Sequence, residues 1–261
     1  MEINIFQVDA FASKTFEGNP AAVCPLKEWL SDDLLQKIAE ENNLSETAFF
    51  VEEGEGYALR WFTPEDEVDL CGHATLATAH VLFKHLGYNK ASISFYTKSG
   101  ELEVTRSSAG YSMSFPASEL NAIEPPAILA EALGIVPVKT SAAFDYIVEL
   151  ESELQVQSLS PDFVKLQALD LRGVVVTAAG KDTDFVSRCF FPKLRVNEDP
   201  VTGSAHCELA PYWAKKLNRN KLVGKQLSQR TGLVQCEVIE DRVILSGSAV
   251  DYMSGIVTIK L

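Results

Sequence analysis

The sequence predicts an α/β chain built from two similar lobes, and three observations carry that reading. First, one pattern is written twice, about 130 residues apart. Arg60-Trp61-Phe62-Thr63-Pro64 is followed by Asp69-Leu70-Cys71-Gly72-His73-Ala74 and an apolar helix. Arg188-Cys189-Phe190-Phe191-Pro192 is followed by Asp199-Pro200-Val201-Thr202-Gly203-Ser204-Ala205 and another. With Gly72 set against Gly203, the next Ala, Lys84 with Lys215, and Leu86 with Leu217 fall at matching offsets. Second, each copy opens its helix on a glycine. Such an N-terminus presents unpaired backbone N–H groups and a positive dipole end, which suits an anion. Third, strand-like and helix-like periodicities interleave through both halves, and 46% of residues are hydrophobic, ample for a packed core. Two such termini facing across a cleft would grip a small carboxylate, so the chain reads as a small-acid enzyme rather than a scaffold.

The elements follow in order. Ile3 to Ala10 reads as a strand, Phe16 to Pro20 as a turn, and Ala21 to Cys24 as a returning strand. Ser31-Asp32-Asp33 caps a helix through Glu41 that buries Leu34, Leu35 and Ile38, and Asn42-Asn43 ends it. Thr47 to Val51 and Tyr57 to Phe62 are strands. Thr75 to Leu86 is a helix with Leu76, Ala79, Leu82 and Phe83 inward, closed by Gly87. Ile93 to Tyr96 and Glu101 to Thr105 form a hairpin around Lys98-Ser99-Gly100, followed by a strand from Tyr111 to Phe115. Pro116 to Pro126 is loop-like and marks the lobe boundary. Lobes are therefore expected over 1–117 and 118–249.

In the second half, helices are expected near Pro126 to Leu133 and Pro161 to Leu166, with a strand near Tyr146 to Leu150. Gly173 to Ala178 is so rich in Val that both faces should be buried. Asp184 to Phe190 is another strand, and the Gly203 helix runs to Leu217. Strands at Leu227 to Leu233, Cys236 to Ile239, Val243 to Ser246 and Gly255 to Ile259 complete the chain.

The totals exclude several classes. A net charge of −13 argues against nonspecific nucleic-acid binding, which needs clustered Lys and Arg. It leaves room for a small anionic substrate at a local helix terminus. No cationic, apolar leader opens the chain and no run of 18 apolar residues occurs, so neither a signal peptide nor a membrane span is expected. Five scattered cysteines without a C-x-x-C pair fit reduced thiols, and the expectation is a cytoplasmic protein. No G-x-S-x-G elbow, G-x-G-x-x-G or Walker loop is present, so neither a Ser hydrolase nor a nucleotide cofactor is indicated. His73, His80, His85 and His206 show no H-x-x-x-H or H-E-x-x-H spacing, so no metal is expected.

Several residues could carry chemistry. Glu46, where an apolar strand begins, would have its pKa raised if held among Phe49, Phe50 and similar groups, as a proton shuttle near neutral pH requires; it also fits a surface Glu or a cap. His73 could act as acid, base or donor, or simply cap its helix. Asp199 could orient His73 or accept a proton, or serve the turn before Pro200. Ser204, the positional twin of His73, could hold a carboxylate through its hydroxyl and N–H, or merely open its helix. Cys71 could be a base at a helix N-terminus. A two-thiol racemase is unavailable, because Pro200 or Val201 falls where the mate would stand, and Cys71 reads better as a small buried residue.

Five segments in order, Phe6-Gln7-Val8-Asp9-Ala10-Phe11, Gly18-Asn19-Pro20-Ala21-Ala22-Val23, Ser45-Glu46-Thr47-Ala48-Phe49, Cys71-Gly72-His73-Ala74-Thr75, and Asp199 to Ala205, resemble the phenazine-biosynthesis isomerase (PhzF-like) family of the diaminopimelate epimerase superfamily. The resemblance implies two pseudo-symmetric barrel-like lobes, each a mixed sheet around a central helix, with the active site between them. It further implies that the last strand, about 250–261, returns to the first lobe, and that the molecule is a homodimer. Glu46 matches the family's catalytic acid/base; His73 and Asp199 match positions that bind substrate and assist proton movement, as does Ser204. Asn19, Gly72 and Gly203 match positions around the substrate carboxylate. No cofactor is implied. In the phenazine enzymes the substrate is trans-2,3-dihydro-3-hydroxyanthranilate. The expected activity is a cofactor-independent proton shift on a small unsaturated or cyclic amino or carboxylic acid. The rival readings are an amino-acid racemase using Cys71 and a metabolite-binding protein without catalysis.

Overall fold

The computed structural model describes residues 1–107 and 110–260; Leu261, the end of the segment expected to return to the first lobe, lies outside them. The chain is mixed α/β and divides into two compact units, Met1–Ser114 with Ser246–Leu261, and Phe115–Leu245.

The first unit contains strands β1 (Glu2–Ala10) and β2 (Asn19–Pro25), helix α1 (Asp32–Asn42), strands β3 (Glu46–Glu53), β4 (Gly56–Phe62) and β5 (Glu67–Val68), helix α2 (Gly72–Lys84), and strands β6 (Ser92–Thr97), β7 (Gly100–Ser107) and β8 (Gly110–Pro116). Pairing alternates in direction. β1–β2 is antiparallel, β2–β3 parallel, β3–β4 antiparallel, β4–β6 parallel and β6–β7 antiparallel. The two parallel pairs have helical crossovers, α1 and α2, as parallel neighbours require. Helix α2 touches β1, β2, β3 and β7. Its whole circumference is buried from His73 to Phe83, so the one-sided face expected for this helix is corrected. The alternation of Ala and Thr with Leu, Val and Phe allows it: small residues let strands approach on every side, and Thr75 and Thr78 return their hydroxyls to the carbonyls of Cys71 and Ala74.

The second unit contains β9 (Asn121–Ala122), α3 (Ala127–Leu133), β10 (Lys139–Ala142), β11 (Tyr146–Glu149), α4 (Glu153–Ser158), α5 (Phe163–Gln167), β12 (Val174–Ala179), β13 (Phe185–Phe191), β14 (Val196–Asp199), α6 (Gly203–Leu217), β15 (Lys221–Gln226), β16 (Gly232–Ile239) and β17 (Arg242–Gly247). From β10 to β16 it repeats the first unit's directions step for step: antiparallel β10–β11, parallel β11–β12, antiparallel β12–β13, parallel β13–β15, antiparallel β15–β16. The repeat seen in sequence is therefore a repeat of topology. Its core gathers Val148, Val174, Val176, Phe190 and Leu133. Trp213 of α6 donates its indole N–H to Thr177 Oγ1 at 2.9 Å, which satisfies the one polar atom of a fully buried ring.

A last strand, β18 (Ala249–Thr258), runs antiparallel to β1 in the first unit, with a bulge opposite Gln7 and Val8 that leaves Tyr252 unpaired. Two local expectations need correction. The strand expected over Leu227 to Leu233 is a loop until Gly232; the pairing strand is β15, where Leu222, Gly224 and Gln226 alternate inward. Its apolar content is low because one inward position is glycine, against which the Phe185 ring packs, and another is glutamine. The Gly72 helix also begins three residues before Thr75, at the glycine itself.

Candidate functional site

In the first unit, the parallel register pairs Ala21 with Glu46, so Asn19 at the start of β2 and Glu46 at the start of β3 share one end of the sheet. Asn19 is fully buried, and Glu46 is largely so. Helix α2 starts on Gly72 with Cys71 as its N-cap, and no side chain caps the first turn. Its leading N–H groups receive no capping hydrogen bond from the N-cap side chain, the arrangement that receives an anion. His73 Nε2 lies 2.9 Å from Glu46 Oε2, and Cys71 Sγ lies 3.5 Å from His73 Nδ1. Glu46 Oε2 is buried and the ring N–H is not aligned on it as a hydrogen bond. The contact is an ion pair with an acceptor still unspent.

Electrostatics sort the three groups. Burial opposes a charge on the His73 ring, but the Cys71 sulfur and the Glu46 carboxylate outweigh it and hold the pKa well above the usual imidazole value. Burial, seconded by the Glu46 charge, pushes the Cys71 thiol up to about 11. Cys71 is therefore a neutral thiol at neutral pH, and Glu46 with His73 forms a carboxylate–imidazolium pair. Glu46 faces that cation rather than the apolar pocket expected for it; Phe49 and Phe50 lie further along β3.

In the second unit, α6 starts on Gly203 with Thr202 as its N-cap, again without a side-chain cap. The Thr202 hydroxyl is turned away, donating to Asp199 Oδ2 at 2.5 Å. Gln226 Nε2 donates to the Asp199 carbonyl, so β15 also fixes this loop. Cys71 and Thr202 are thus matching N-caps. Thr202, not Pro200 or Val201, is the mate of Cys71, and the second unit still offers no second thiol. The fourth histidine, His206, donates Nδ1–H to the Thr202 carbonyl, and burial pulls its pKa down to about 4. It supports the helix start as a neutral ring.

Ser204 has company that the sequence did not disclose. Arg172, just before β12, donates to Ser204 Oγ at 3.0 Å and grips Asp145 with two bonds of 3.0 and 2.6 Å. Behind them Glu208 is fully buried, its Oε1 accepting the N–H groups of Phe144 and Asp145. Burial first, then the Asp145 charge, push the Glu208 carboxyl up to about 8, against the pull of Arg172. No sequence signal marked Arg172 or Asp145, which lie outside the repeated segments. Glu208 was hinted at only by a charge on an apolar helix.

Among the described residues, two groups of three place metal-ligand atoms within 4.8 Å of one another: Glu46, Cys71 and His73, and His80, His85 and Asp251. The first set is an acid–base pair beside a protonated thiol, which suits proton transfer. No helix among the described residues is long and apolar enough to cross a membrane.

Comparison with known proteins gives the chain its family. The model of the family described as phenazine biosynthesis-like protein (PhzC-PhzF) matches residues 8–255. A protein of Pseudomonas aeruginosa named as an uncharacterized isomerase is 53% identical over 255 residues, covering 98% of both chains. The crystal structure of a PhzF-family phenazine biosynthesis protein from Enterococcus faecalis has a TM-score of 0.97 at 49% identity, covering 99% of this chain and 100% of that one. A hydroxyproline epimerase from Agrobacterium vitis, at 9% identity, shares the fold with a TM-score of 0.62 over 98% of this chain and 92% of its own. The relatives support an isomerase, and the likeness to the epimerase is one of fold alone. With nearly its whole length matched, the chain belongs to the phenazine biosynthesis-like, PhzC-PhzF family.

Proposed function

We propose that the protein is a cofactor-independent isomerase that moves a proton on a small unsaturated or cyclic amino or carboxylic acid, with Glu46 as the acid/base. The observation that carries this is the Glu46–His73 pair at the uncapped start of α2. Glu46 takes a proton from a carbon acidified by a neighbouring carboxylate or π-system and returns it to another carbon. His73, held as imidazolium, polarises the substrate and stabilises the enolate-like charge, as does the terminus at Gly72. In the second unit, Gly203 and Ser204 bind the substrate carboxylate, and Asp199 assists the relay. Each proton removed is one returned, so these side chains suffice for the sequence of steps.

The test is proton exchange in D₂O followed by NMR, with dihydrohydroxyanthranilate and a panel of unsaturated amino acids. Wild type should place deuterium on carbon and Glu46→Gln should not, while still binding the same ligands; exchange that survives in Glu46→Gln refutes the assignment. Cys71→Ala should keep exchange within a few fold. With its pKa near 11, only about one Cys71 in 10⁴ is a thiolate at pH 7. Loss of exchange in Cys71→Ala alone would favour the racemase, and binding without exchange in wild type would favour a metabolite-binding protein.

A further inference from the structure

The C-terminal end of α2 carries a second cluster that the proposed reaction does not use. His80 sits on the last turn but one, and His85 is the C-cap. From β18, 166 residues beyond His85, Asp251 reaches the same point. His80 Nε2 and His85 Nε2 lie 2.9 and 2.8 Å from the same oxygen, Asp251 Oδ1. Two imidazole nitrogens and one carboxylate oxygen therefore converge on one small volume, all three within 4.8 Å of one another.

Each of the three is held in place by a different neighbour. The other nitrogen of His80 lies 3.0 Å from the Tyr111 hydroxyl, which can accept from it or donate to it, so His80 can present either a proton or a lone pair at Nε2. Phe6 stacks on the His85 ring, with centroids 4.9 Å apart. Lys84 binds the far oxygen of Asp251 at 2.6 Å, leaving Oδ1 to the imidazoles. The bulge at Tyr252 adjoins Asp251, a place where strands re-aim side chains. His80 is buried, whereas His85 and Asp251 keep roughly three-tenths of their side chains exposed, which gives an ion a way in and leaves room for coordinated water.

We propose that His80, His85 and Asp251 form a binding site for a borderline divalent cation of the zinc type, with two imidazoles and one carboxylate as ligands and water completing the shell. Ligand bonds of about 2.0–2.2 Å at tetrahedral angles put donor atoms ~3.4 Å apart, so the N···O separations of 2.9 and 2.8 Å would open by about half an ångström on binding. The donor set is the N,N,O mixture that such ions accept and that Mg²⁺ and Ca²⁺ do not favour. The ion would displace the two N–H protons now directed at Asp251. It would tie the end of α2 to β18 more firmly than the ionic hub of Lys84, His80, His85 and Asp251 already does. Lys84 places a like charge nearby, so the affinity should be modest.

The experiment is a calorimetric titration of the chelator-stripped, full-length protein with Zn²⁺ alone, paralleled by the visible spectrum with Co²⁺ and by thermal melts. One Zn²⁺ per chain is expected, with a rise in melting temperature as binding to the folded state requires. His85→Ala and Asp251→Asn, both at partly exposed positions, should each weaken binding by at least ~10-fold. Cys71→Ala should bind as wild type does, which separates this cluster from the one at Glu46. Absence of one-to-one binding overturns the proposal. So does binding that survives both His85→Ala and Asp251→Asn, or that disappears in Cys71→Ala.

Discussion

Replacing Glu208 by Gln should flatten the dependence of stability on pH. Glu208 is fully buried on α6, one turn past Ser204, and its carboxyl is raised to about 8 from an ordinary value of 4.5. Between those pH values the folded chain holds a proton that the unfolded chain has lost. The folded-state pKa is the higher one, so this contribution is complete below pH 4.5 and is lost as pH rises through 8. The slope is about 1.4 kcal/mol per pH unit in the middle of that window, and the loss from pH 5 to pH 8 comes to roughly 3 kcal/mol. Gln is an uncharged copy of the protonated acid. Its amide oxygen can accept the Phe144 and Asp145 N–H groups, and its NH₂ can stand where the unpartnered Oε2 stands. Urea unfolding of both proteins from pH 5 to 8 removes every titration they share. The variant should match wild type at pH 5 and exceed it by roughly 3 kcal/mol at pH 8. Curves that stay parallel to within ~0.5 kcal/mol would show that Glu208 does not hold its proton, and the reasoning about this buried cluster would fail.

Gly18→Ala should cost roughly 2–4 kcal/mol in the same assay, because Gly18 has φ of +68° and a Cβ there would lie 2.1 Å from the Ala10 carbonyl oxygen. A loss below ~0.5 kcal/mol would mean that the turn before Asn19 adapts freely. The homodimer implied by the family is proposed to use β18, which leaves Tyr252, Met253 and Ile256 exposed. Light scattering should then give twice the chain mass of 28.6 kDa, and Tyr252→Glu with Ile256→Glu should return it to the monomer; a monomeric wild type refutes this.

Much of the fold was legible because the repeated segments fall where local chemistry and topology coincide. Arg60 and Arg188 show why such a pattern persists. Each sits on a strand beside a short partner strand and makes a two-pronged bond to a glutamate of that partner, Glu67 or Glu198. Each also covers the phenylalanine two residues on, Phe62 or Phe190. The strand β15 escaped notice because its inward positions include Gly224 and Gln226, whose reasons for being inside are the Phe185 ring and the Asp199–Thr202 loop. Of the candidate residues, Glu46 and His73 could be paired only once β3 and α2 were placed, and Asp251 lies 166 residues from His85. Spacing rules find ligands that share an element and miss those that topology assembles.

The two helix starts share one plan and differ in the residues that follow the glycine. Both keep the glycine and the extended N-cap, and in neither does the N-cap side chain take up the leading N–H groups that suit an anion. After the glycine they part. At the first, His73 is buried against Glu46, which creates a mobile proton but also an extra charge to be satisfied. At the second, Ser204 does not titrate near neutral pH, and the charge beside it is Arg172, which has no proton to give at any working pH. In the proposed reaction, a guanidinium clamped by Asp145 and a hydroxyl would bind and orient, and the carboxylate–imidazolium pair would react. Ser204→His would therefore place a second titratable ring beside a fixed cation, where its protonation is opposed. On the proposed reading, a second histidine at this position would gain no second acid, because Arg172 stands next to it.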